Sequence, residues 1–322
     1  MPDMSQPVVT EKTVSAIIPT FRRPEGLDRA MASIKAQTGL AGVALNLIVC
    51  DNSPEGSART QVEAFALNAP FPVLFVHEPK TGVANARNSA VAATQAQFIA
   101  FLDDDEEAPA DWLWRMLANQ ARFKADVVFG PVTARIPHDV AQYRPYFEAF
   151  FSRFGPEESG VLPHYYGCGN SLIRTAVFPK DDLPFATTQN EMGGEDDILF
   201  TALKAQGKVM SWAADAPVWE DVPPKRATFD YTLRRGFAYG QGPSHSTGVN
   251  GKYLKCAAWM MQGLVQAAVF GVMAGAAFAT KSPKAAYLID KAARGLGKTL
   301  WFPPFKMKFY GQALLKPAKR KG

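Results

Sequence analysis

The chain has 322 residues, of which 47% are hydrophobic and 20% charged, enough for one large domain or two smaller ones. This composition excludes wholesale disorder, and the irregular spacing of 25 glycines and 24 prolines excludes a collagen-like or low-complexity chain. The net charge of +5 hides an asymmetry: residues 281–322 carry eleven Lys or Arg and one acid, whereas the other 280 residues carry 24 basic and 29 acidic groups. A basic tail on an acidic body indicates attachment to an anionic partner, either a nucleic acid or a membrane surface.

The three cysteines, Cys50, Cys168 and Cys256, are far apart and form no CxxC pair. This spacing favours reduced cytosolic thiols over a disulfide scaffold or a zinc cluster. The first fifteen residues contain no basic stretch followed by an apolar run, so we expect no signal peptide.

Residues 14–136 alternate between short apolar runs and longer amphipathic segments. The runs predict strands and the segments predict helices, with Pro24 and Pro109 in first-turn positions. Predicted strands cover residues 14–19, 45–51, 73–77, 98–103 and 126–136, and predicted helices cover 24–37, 57–68, 83–94 and 109–123. A strand about every 25–30 residues is the βαβ pattern, which predicts a largely parallel sheet with helices on both faces.

The second half of the chain is less regular and contains no internal repeat. It includes a glycine-rich stretch at 165–174 (YYGCGNSLIR), an acidic helix start at 193–203, a basic helical segment at 226–242 and an uncharged segment at 256–280.

Polar residues follow the predicted strands, where ligands bind in sheets of this kind. They are Thr20 and Arg22, then Asp51 and Asn52, then residues 103–107. In the last group, FIAFLDDDEE, Asp103 and Asp105 point the same way on an extended chain. Such carboxylates repel one another unless a cation neutralises them, and hard oxygen ligands suit Mg²⁺ or Mn²⁺ shared with substrate phosphates. The alternative is a solvated acidic loop that caps the next helix.

A second acidic cluster, Glu195, Asp196 and Asp197, follows two glycines. A carboxylate at a helix start is usually an N-cap or a partner of the helix dipole. The glycines allow a ligand to approach closely, so a general base is the other interpretation.

Six motifs occur in order along the chain: VSAIIPTFRRPEGLDRAMASI, LIVCDNSP, GVANARNSAV, FIAFLDDD, CGNSLIR and GGEDDILF. Together, over residues 14–240, they resemble family 2 glycosyltransferases of the GT-A fold, a Rossmann-like α/β fold with a mixed, mainly parallel sheet. The later stretch VWEDVPPKRATFDYTLRRGFAYGQ resembles bacterial enzymes that build exopolysaccharide repeat units on lipid carriers. We therefore expect a catalytic domain at 1–245, with a nucleotide-sugar half at 14–136 and an acceptor half at 137–245, followed by a helical, membrane-associating tail at 246–322.

The resemblance implies a role for particular residues. The implied donor or nucleotide-binding residues are Pro19, Thr20, Arg22, Asp51, Arg87, Asn88, Asp103 and Asp104. Asp105 is the implied ligand of Mg²⁺ or Mn²⁺, and Asp196 is the implied catalytic base. The implied acceptor or sugar side holds Asn170, Glu195, Arg226 and Arg234. In the alternative interpretation, Arg22 and Arg87 form surface ion pairs and Asn170 caps a turn.

The chain departs from the family at one metal position. Many GT-A enzymes place a metal-binding His after the helix that carries the base, whereas the comparable strand end here reads PVWED. Glu220 either replaces that ligand or pairs with Arg226. We expect His245 to be a loop residue rather than a ligand.

One base without an evident second nucleophile implies direct displacement with inversion at the sugar of a nucleotide-sugar donor, with a UDP-sugar expected. The rival enzyme is a glycoside hydrolase, which uses two carboxylates flanking the bond. The non-enzyme alternative is a nucleotide-sugar-binding scaffold protein.

The uncharged segment 256–280 would reach about 37 Å as a helix, enough to span a bilayer, and Gly271 and Gly275 form a GxxxG face. Basic residues flank both ends, so spanning would put one group on the wrong side. A segment that lies in the interface at the cytoplasmic face of the plasma membrane keeps both groups of basic residues on the cytoplasmic side. The tail adds Lys284, Lys291 and Lys298 on one helix face, then Trp301, Phe302, Phe305, Lys306, Lys308, Phe309 and Tyr310 as interfacial anchors.

Two alternatives remain for this segment: a buried helix of a cytoplasmic protein, or the interface of a homo-oligomer. We expect no nucleic-acid partner, because the sequence contains no recognisable reading module.

Overall fold

A computed structural model describes residues 12–138, 140, 143–180, 182–189 and 194–307. Within these residues the chain forms two compact units. The first takes 12–133 and 153–221, and the second takes 134–152 and 222–307. Lys308, Phe309 and Tyr310 of the predicted tail lie outside the described residues.

The first unit is built on an eight-stranded sheet with the order β3–β2–β1–β4–β9–β6–β10–β8. Strands β1 to β4 are parallel, β9 runs antiparallel to both β4 and β6, and β8 runs antiparallel to β10. This is the predicted mixed, mainly parallel sheet. The strands are β1 (Lys12–Thr20), β2 (Val43–Asp51), β3 (Val73–His77), β4 (Phe98–Phe101), β5 (Glu106–Glu107), β6 (Val127–Phe129), β7 (Val132–Arg135), β8 (Gly160–Val161), β9 (Ser171–Arg174), β10 (Met210–Trp212) and β11 (Val218–Asp221).

Helices cover both faces of this sheet, as the βαβ pattern predicts. Alternate residues of β1 enter different cores: Ile18 packs with α1, α2 and α4, whereas Ile17 packs with α3 and α6. The helices are α1 (Pro24–Lys35), α2 (Arg59–Ala66), α3 (Val83–Ala92), α4 (Trp112–Phe123), α5 (Arg144–Phe151), α6 (Glu195–Ala205), α7 (Phe229–Val249), α8 (Tyr253–Ala279) and α9 (Ala285–Thr299). Pro24 is the first residue of α1, where its missing N–H costs nothing.

Three local predictions are wrong. The predicted strand at 126–136 is two strands, β6 in the large sheet and β7 in a second sheet with the order β5–β11–β7. Pro131, between them, has no N–H for a sheet ladder, which ends pairing there. Helix α4 begins at Trp112 rather than near Pro109, and His245 lies within α7 rather than in a loop.

The second unit contains α5, α7, α8 and α9. The last three helices pack on one another at glycines: a Cβ at Gly240 or Gly297 would collide with a carbonyl oxygen of the facing helix, and one at Gly263 would lie 2.6 Å from the Gly295 oxygen. A cluster of aromatic rings from α5 and α7, with Tyr146 and Phe147 at its centre, fills the core. At the predicted GxxxG face, a Cβ added to Gly271 or Gly275 would have no described atom within 4 Å.

Candidate active site

The carboxyl ends of β1, β2 and β4 bring predicted donor residues to one edge of the sheet. Thr20 lies opposite Asp51 in the register of β1 and β2, and β4 flanks β1 on its other side. The Thr20 hydroxyl donates a 2.8 Å hydrogen bond to Asp104, and the Phe21 N–H donates to the same oxygen at 3.3 Å. The first strand end and the acidic strand end are therefore joined by direct hydrogen bonds.

Arg23, which the sequence analysis missed, neutralises part of the acidic strand end. Its guanidinium donates to Asp104 at 2.7 Å and to Asp105 at 2.5 Å. Burial raises the pKa of Asp104 to about 6, while Arg23 and the Thr20 hydroxyl act against that rise. By contrast, Arg22 points to solvent and pairs with Glu55 at 2.7 Å, as its ion-pair alternative predicts.

Arg87 connects the two acidic clusters of the sequence. Its side chain is only 6% exposed and donates to Glu195 and, at 3.3 Å, to Asp103. The surface ion pair considered for Arg87 is therefore wrong. Burial raises the pKa of Glu195, and the positive charge of Arg87 opposes that rise. These three residues place the DDD and EDD motifs side by side.

Asp196 contacts a loop that we call the glycine loop, Gly167, Cys168 and Gly169. The Cys168 N–H donates to Asp196 Oδ2 at 3.0 Å, and the carboxylate remains partly exposed. A Cβ at Gly167 would lie 3.4 Å from this oxygen, and one at Gly169 would lie 2.6 Å from Asp103 Oδ2. The glycines thus let one loop backbone lie against both acids.

Arg153 is a second residue that the sequence analysis missed. Its guanidinium donates to the carbonyl oxygens of Gly167, at 3.1 Å, and Gly169, so it holds both ends of the glycine loop. Its Nε is buried and has no hydrogen-bond partner among the described residues. Burial and the charge of Asp103 raise the pKa of Glu106, whereas Arg153 lowers it. No motif surrounds Arg153 in the sequence, and its loop partners come 14 and 16 residues later.

Asp51 and Asn88 hold backbone at the same edge. The fully buried Asp51 carboxylate accepts hydrogen bonds from the N–H groups of Ser53, at 2.8 Å, and Ala58, at 2.7 Å. The Asn88 side-chain amide accepts a hydrogen bond from the Phe185 N–H at 2.9 Å and donates one to the Phe185 carbonyl oxygen at 2.8 Å. Their predicted contacts with the nucleotide stay predictions.

Asn170 is fully buried, with a left-handed backbone (φ +48°). It accepts from the Trp112 indole at 2.7 Å and donates to the Pro131 oxygen at 2.7 Å, which agrees with the turn interpretation. Its predicted place beside the sugar is untested.

The remaining predicted residues are spread over both units. Pro19 is buried in β1, and Glu220 pairs in register with Glu106 across β11 and β5. In the second unit, Arg226 lies 5.9 Å from the Tyr231 ring centroid and Arg234 donates to Asp230 at 2.9 Å.

The sequence predicts Asp105 as a metal ligand, with Glu220 as a second candidate. Across the described ranges no group of three or more His, Cys, Asp or Glu side chains is arranged to hold a metal ion. A magnesium-type ion, however, takes only one or two carboxylates when substrate phosphates complete its shell. Asp103 is 38% exposed and pairs with Arg87 at 3.3 Å, whereas Asp105 is 12% exposed and pairs with Arg23 at 2.5 Å. An ion bound here would therefore find Asp103 accessible and would compete with Arg23 for Asp105.

Comparisons with known proteins identify the family of the chain. The model of glycosyl transferase family 2 matches residues 15–180. The succinoglycan biosynthesis protein ExoM of Rhizobium meliloti (strain 1021) is 33% identical over 222 residues, 69% of this chain and 71% of ExoM. The pre-mycofactocin glycosyltransferase of Mycobacterium tuberculosis (strain ATCC 25618 / H37Rv) is 30% identical over 160 residues, 48% of this chain and 31% of that protein. The solved structure of S. aureus TarS with UDP has a TM-score of 0.49 and 16% identity, covering 88% of this chain and 89% of that one.

The chain therefore belongs to glycosyl transferase family 2. It is a glycosyltransferase with a GT-A-type α/β fold, and the predictions of family, fold and enzyme class are confirmed.

Proposed function

We propose that this protein is an inverting, metal-dependent glycosyltransferase of the hexosyltransferase type. It moves a sugar from a UDP-sugar to a hydroxyl of a glycan or lipid-linked acceptor in bacterial exopolysaccharide synthesis. The observation that carries the proposal is the juxtaposition of Asp103 and the partly exposed Asp196 across the glycine loop. The similarity to ExoM, a succinoglycan biosynthesis protein, supports the exopolysaccharide assignment.

Asp196 is the proposed general base. It takes the proton of the acceptor hydroxyl while that oxygen bonds to the anomeric carbon, and the nucleoside diphosphate leaves from the opposite face of the sugar. The Cys168 N–H keeps one carboxylate oxygen in place. Glu195, the neighbouring acid, is engaged by Arg87 and buried, which leaves Asp196 as the accessible carboxylate of the two.

Asp103, Asp105 and Thr20 form the proposed donor edge. Asp103 and Asp105 would hold Mg²⁺ or Mn²⁺, which neutralises charge on the departing diphosphate when bound. Arg87, held between Asp103 and Glu195, adds a fixed positive charge beside this edge.

The second unit supports attachment to the cytoplasmic face of an anionic membrane. Among the described helices one, α8, is long and apolar enough to cross a bilayer, and only 17% of its most apolar 18-residue window is buried. The ammonium groups of Lys291 and Lys298 lie 5.0 and 5.3 Å from the Phe270 and Trp259 rings of α8. Lysine stems along apolar surface with charged tips beside it are typical of interfacial helices, so we propose a peripheral or monotopic protein.

The transfer reaction is tested with purified full-length protein and radiolabelled UDP-, GDP- and dTDP-sugars, with lipid-linked and free glycan acceptors. We expect turnover with a UDP-sugar, its loss in EDTA, its return with Mn²⁺, and a product of inverted anomeric configuration. UDP with Mn²⁺ is expected to raise the melting temperature more than GDP or dTDP, because ligands that bind only the folded state stabilise it. Undiminished transfer in EDTA, or a retained configuration, would contradict the metal or the inverting part of the proposal.

A further inference from the structure

The second unit contains a cavity of about 470 Å³, and none of the proposed donor, metal or base residues lines it. It lies where the start of α5, the end of α8 and the start of α9 meet. Its lining residues are Tyr143, Pro145, Tyr146, Phe278, Lys281, Pro283 and Tyr287. Its volume and its mainly aromatic walls are those of small-molecule sites, in which a few polar groups orient the ligand.

The walls of this cavity are held in place by ring contacts. Tyr146 meets Tyr287 edge to face at a centroid distance of 5.4 Å, and Tyr143 meets Phe278 in the same way at 6.4 Å. Prolines 145 and 283 restrict the backbone on two sides. A cavity with such walls is formed before a ligand enters, which lowers the cost of binding.

The charged residue of the lining is one cation, Lys281, beside an apolar surface. Lys281 is exposed in the turn between α8 and α9, and Lys284 follows three residues later, also exposed. On the other side, the exposed apolar residues of α8 continue to Phe278, which is itself part of the lining. The cavity therefore offers aromatic surface for an apolar chain and an ammonium group for an anion.

We propose that this cavity binds a phosphate-headed amphiphile, with the apolar chain against the aromatic rings of the lining and the phosphate at Lys281. The ligand is of the kind that an anionic membrane supplies, so the inference rests on the proposed membrane attachment. It requires neither sugar transfer nor a metal ion.

Photo-crosslinking in neutral detergent tests the site apart from transfer and from membrane binding. The probe is dodecyl phosphate with a benzophenone on its chain, added to the full-length protein, and crosslinked peptides are mapped by mass spectrometry. We expect crosslinks in peptides that contain residues 143–146 and 278–287. Unlabelled dodecyl phosphate should compete at least tenfold better than dodecanol, inorganic phosphate or a neutral oligosaccharide.

Lys281→Glu and Tyr287→Ala should each lower crosslinking at least fivefold, whereas Lys255→Glu, at the other end of α8, should not change it. Both lysines are exposed, so the two charge reversals test the site and not the fold. Crosslinks spread evenly along α8 would overturn the proposal. So would competition by dodecanol or by inorganic phosphate that equals that of dodecyl phosphate, and so would stronger competition by the oligosaccharide. Sugar transfer measured on the same preparations separates failure of this inference from failure of the proposed function.

Discussion

Asp196 has one carboxylate oxygen fixed by the Cys168 N–H and the other bonded by the Asp197 N–H at 3.0 Å. Asp196→Asn keeps the side-chain shape but cannot take a proton. We expect turnover to fall about 10²-fold or more, the usual scale for loss of a general base, with donor affinity near that of the wild type. Steady-state kinetics and UDP binding measure the two effects. Asp197→Asn is the matched control, and a loss of turnover there but not at Asp196 would move the base to Asp197.

Arg153 is a positioning residue, because it acts on Asp196 only through the glycine loop. Arg153→Ala removes two charge-assisted hydrogen bonds to loop carbonyls, so we expect kcat to fall about tenfold or more while the donor KM changes little. Arg153→Lys should restore part of kcat, since an ammonium can still reach one carbonyl. The control is Arg174→Ala, which removes an exposed ion pair with Asp126. Equal loss in kcat and in donor affinity would indicate general disruption instead.

The Arg87–Glu195 pair predicts a pH-dependent stability defect. In Arg87→Gln the cation that opposes the burial effect is gone, so the pKa of Glu195 rises further above its usual value. When the pKa of a carboxyl is higher in the folded state than in the unfolded state, protonation of that carboxyl stabilises the folded protein. This stabilisation is lost as pH rises through the folded-state pKa, because the buried carboxyl then becomes charged. We expect the variant to be less stable than the wild type by about 3–5 kcal/mol near pH 8 and by less near pH 5.

Denaturant unfolding at several pH values measures this difference. Arg87→Gln combined with Glu195→Gln should lose most of the pH dependence, because the titrating carboxyl is removed. A deficit that stays constant with pH would show that Glu195 is not the group involved.

Residues at this site differ in how far the sequence could predict them. Asp103, Asp196 and Arg87 stand in motifs, and the structure brings Asp103 and Arg87 into direct contact. Arg23 and Arg153 could not be assigned in the same way, because they bind other parts of the chain 81 residues away and 14–16 residues away, respectively. A contact between distant segments leaves no local pattern.

Among the elements, the helix crossings of the second unit depend on glycine. A Cβ at Gly297 would meet the Phe237 oxygen of α7, so Gly297→Ala should destabilise the second unit by about 1–3 kcal/mol. Gly275→Ala on α8 is the matched control, because no described atom lies within 4 Å of its Cβ position. That change should be neutral or stabilising by about 0.5–1 kcal/mol, the helix preference for Ala over Gly. Thermal unfolding of full-length protein in detergent measures both, and equal effects would contradict this packing.

Element prediction succeeded where periodicity and turn residues agreed, as for β1 to β4 and α1 to α3. It failed at 126–136, where one apolar run supplies two strands to two sheets. Hydrophobicity alone does not distinguish one buried strand from two consecutive strands. The position of β9 between β4 and β6 in the sheet could not be predicted either, because it depends on pairing between distant segments. The boundary predicted at residue 245 remains a prediction.

At the scale of the whole molecule, the exposed face of α8 predicts membrane attachment. Leu264→Glu combined with Val272→Glu should lower binding to anionic vesicles at least tenfold, because carboxylates remove apolar insertion and are repelled by anionic lipids. The fold should persist, since both side chains are exposed. Leu67→Glu is the control: Leu67 is 84% exposed, comparable with Val272 at 77%, but lies in the first unit.

Vesicle flotation measures this attachment. High salt alone should release the wild type only partly, since screening weakens charge attraction but not apolar burial. Wild-type protein that fails to float, or a double variant that floats equally well, would contradict attachment through α8.

The second unit consists of two stretches of chain, and residues 153–221 of the first unit separate them. The two stretches are therefore synthesised at different times. The rings of Tyr146 and Phe147 leave the ribosome well before Phe229, against which both pack in the finished protein. At about 5–20 residues per second, the wait is roughly 4–16 seconds. For that interval α5 is an aromatic segment without its partners in α7, and its exposure to aggregation depends on how quickly residues 153–221 and then α7 are synthesised.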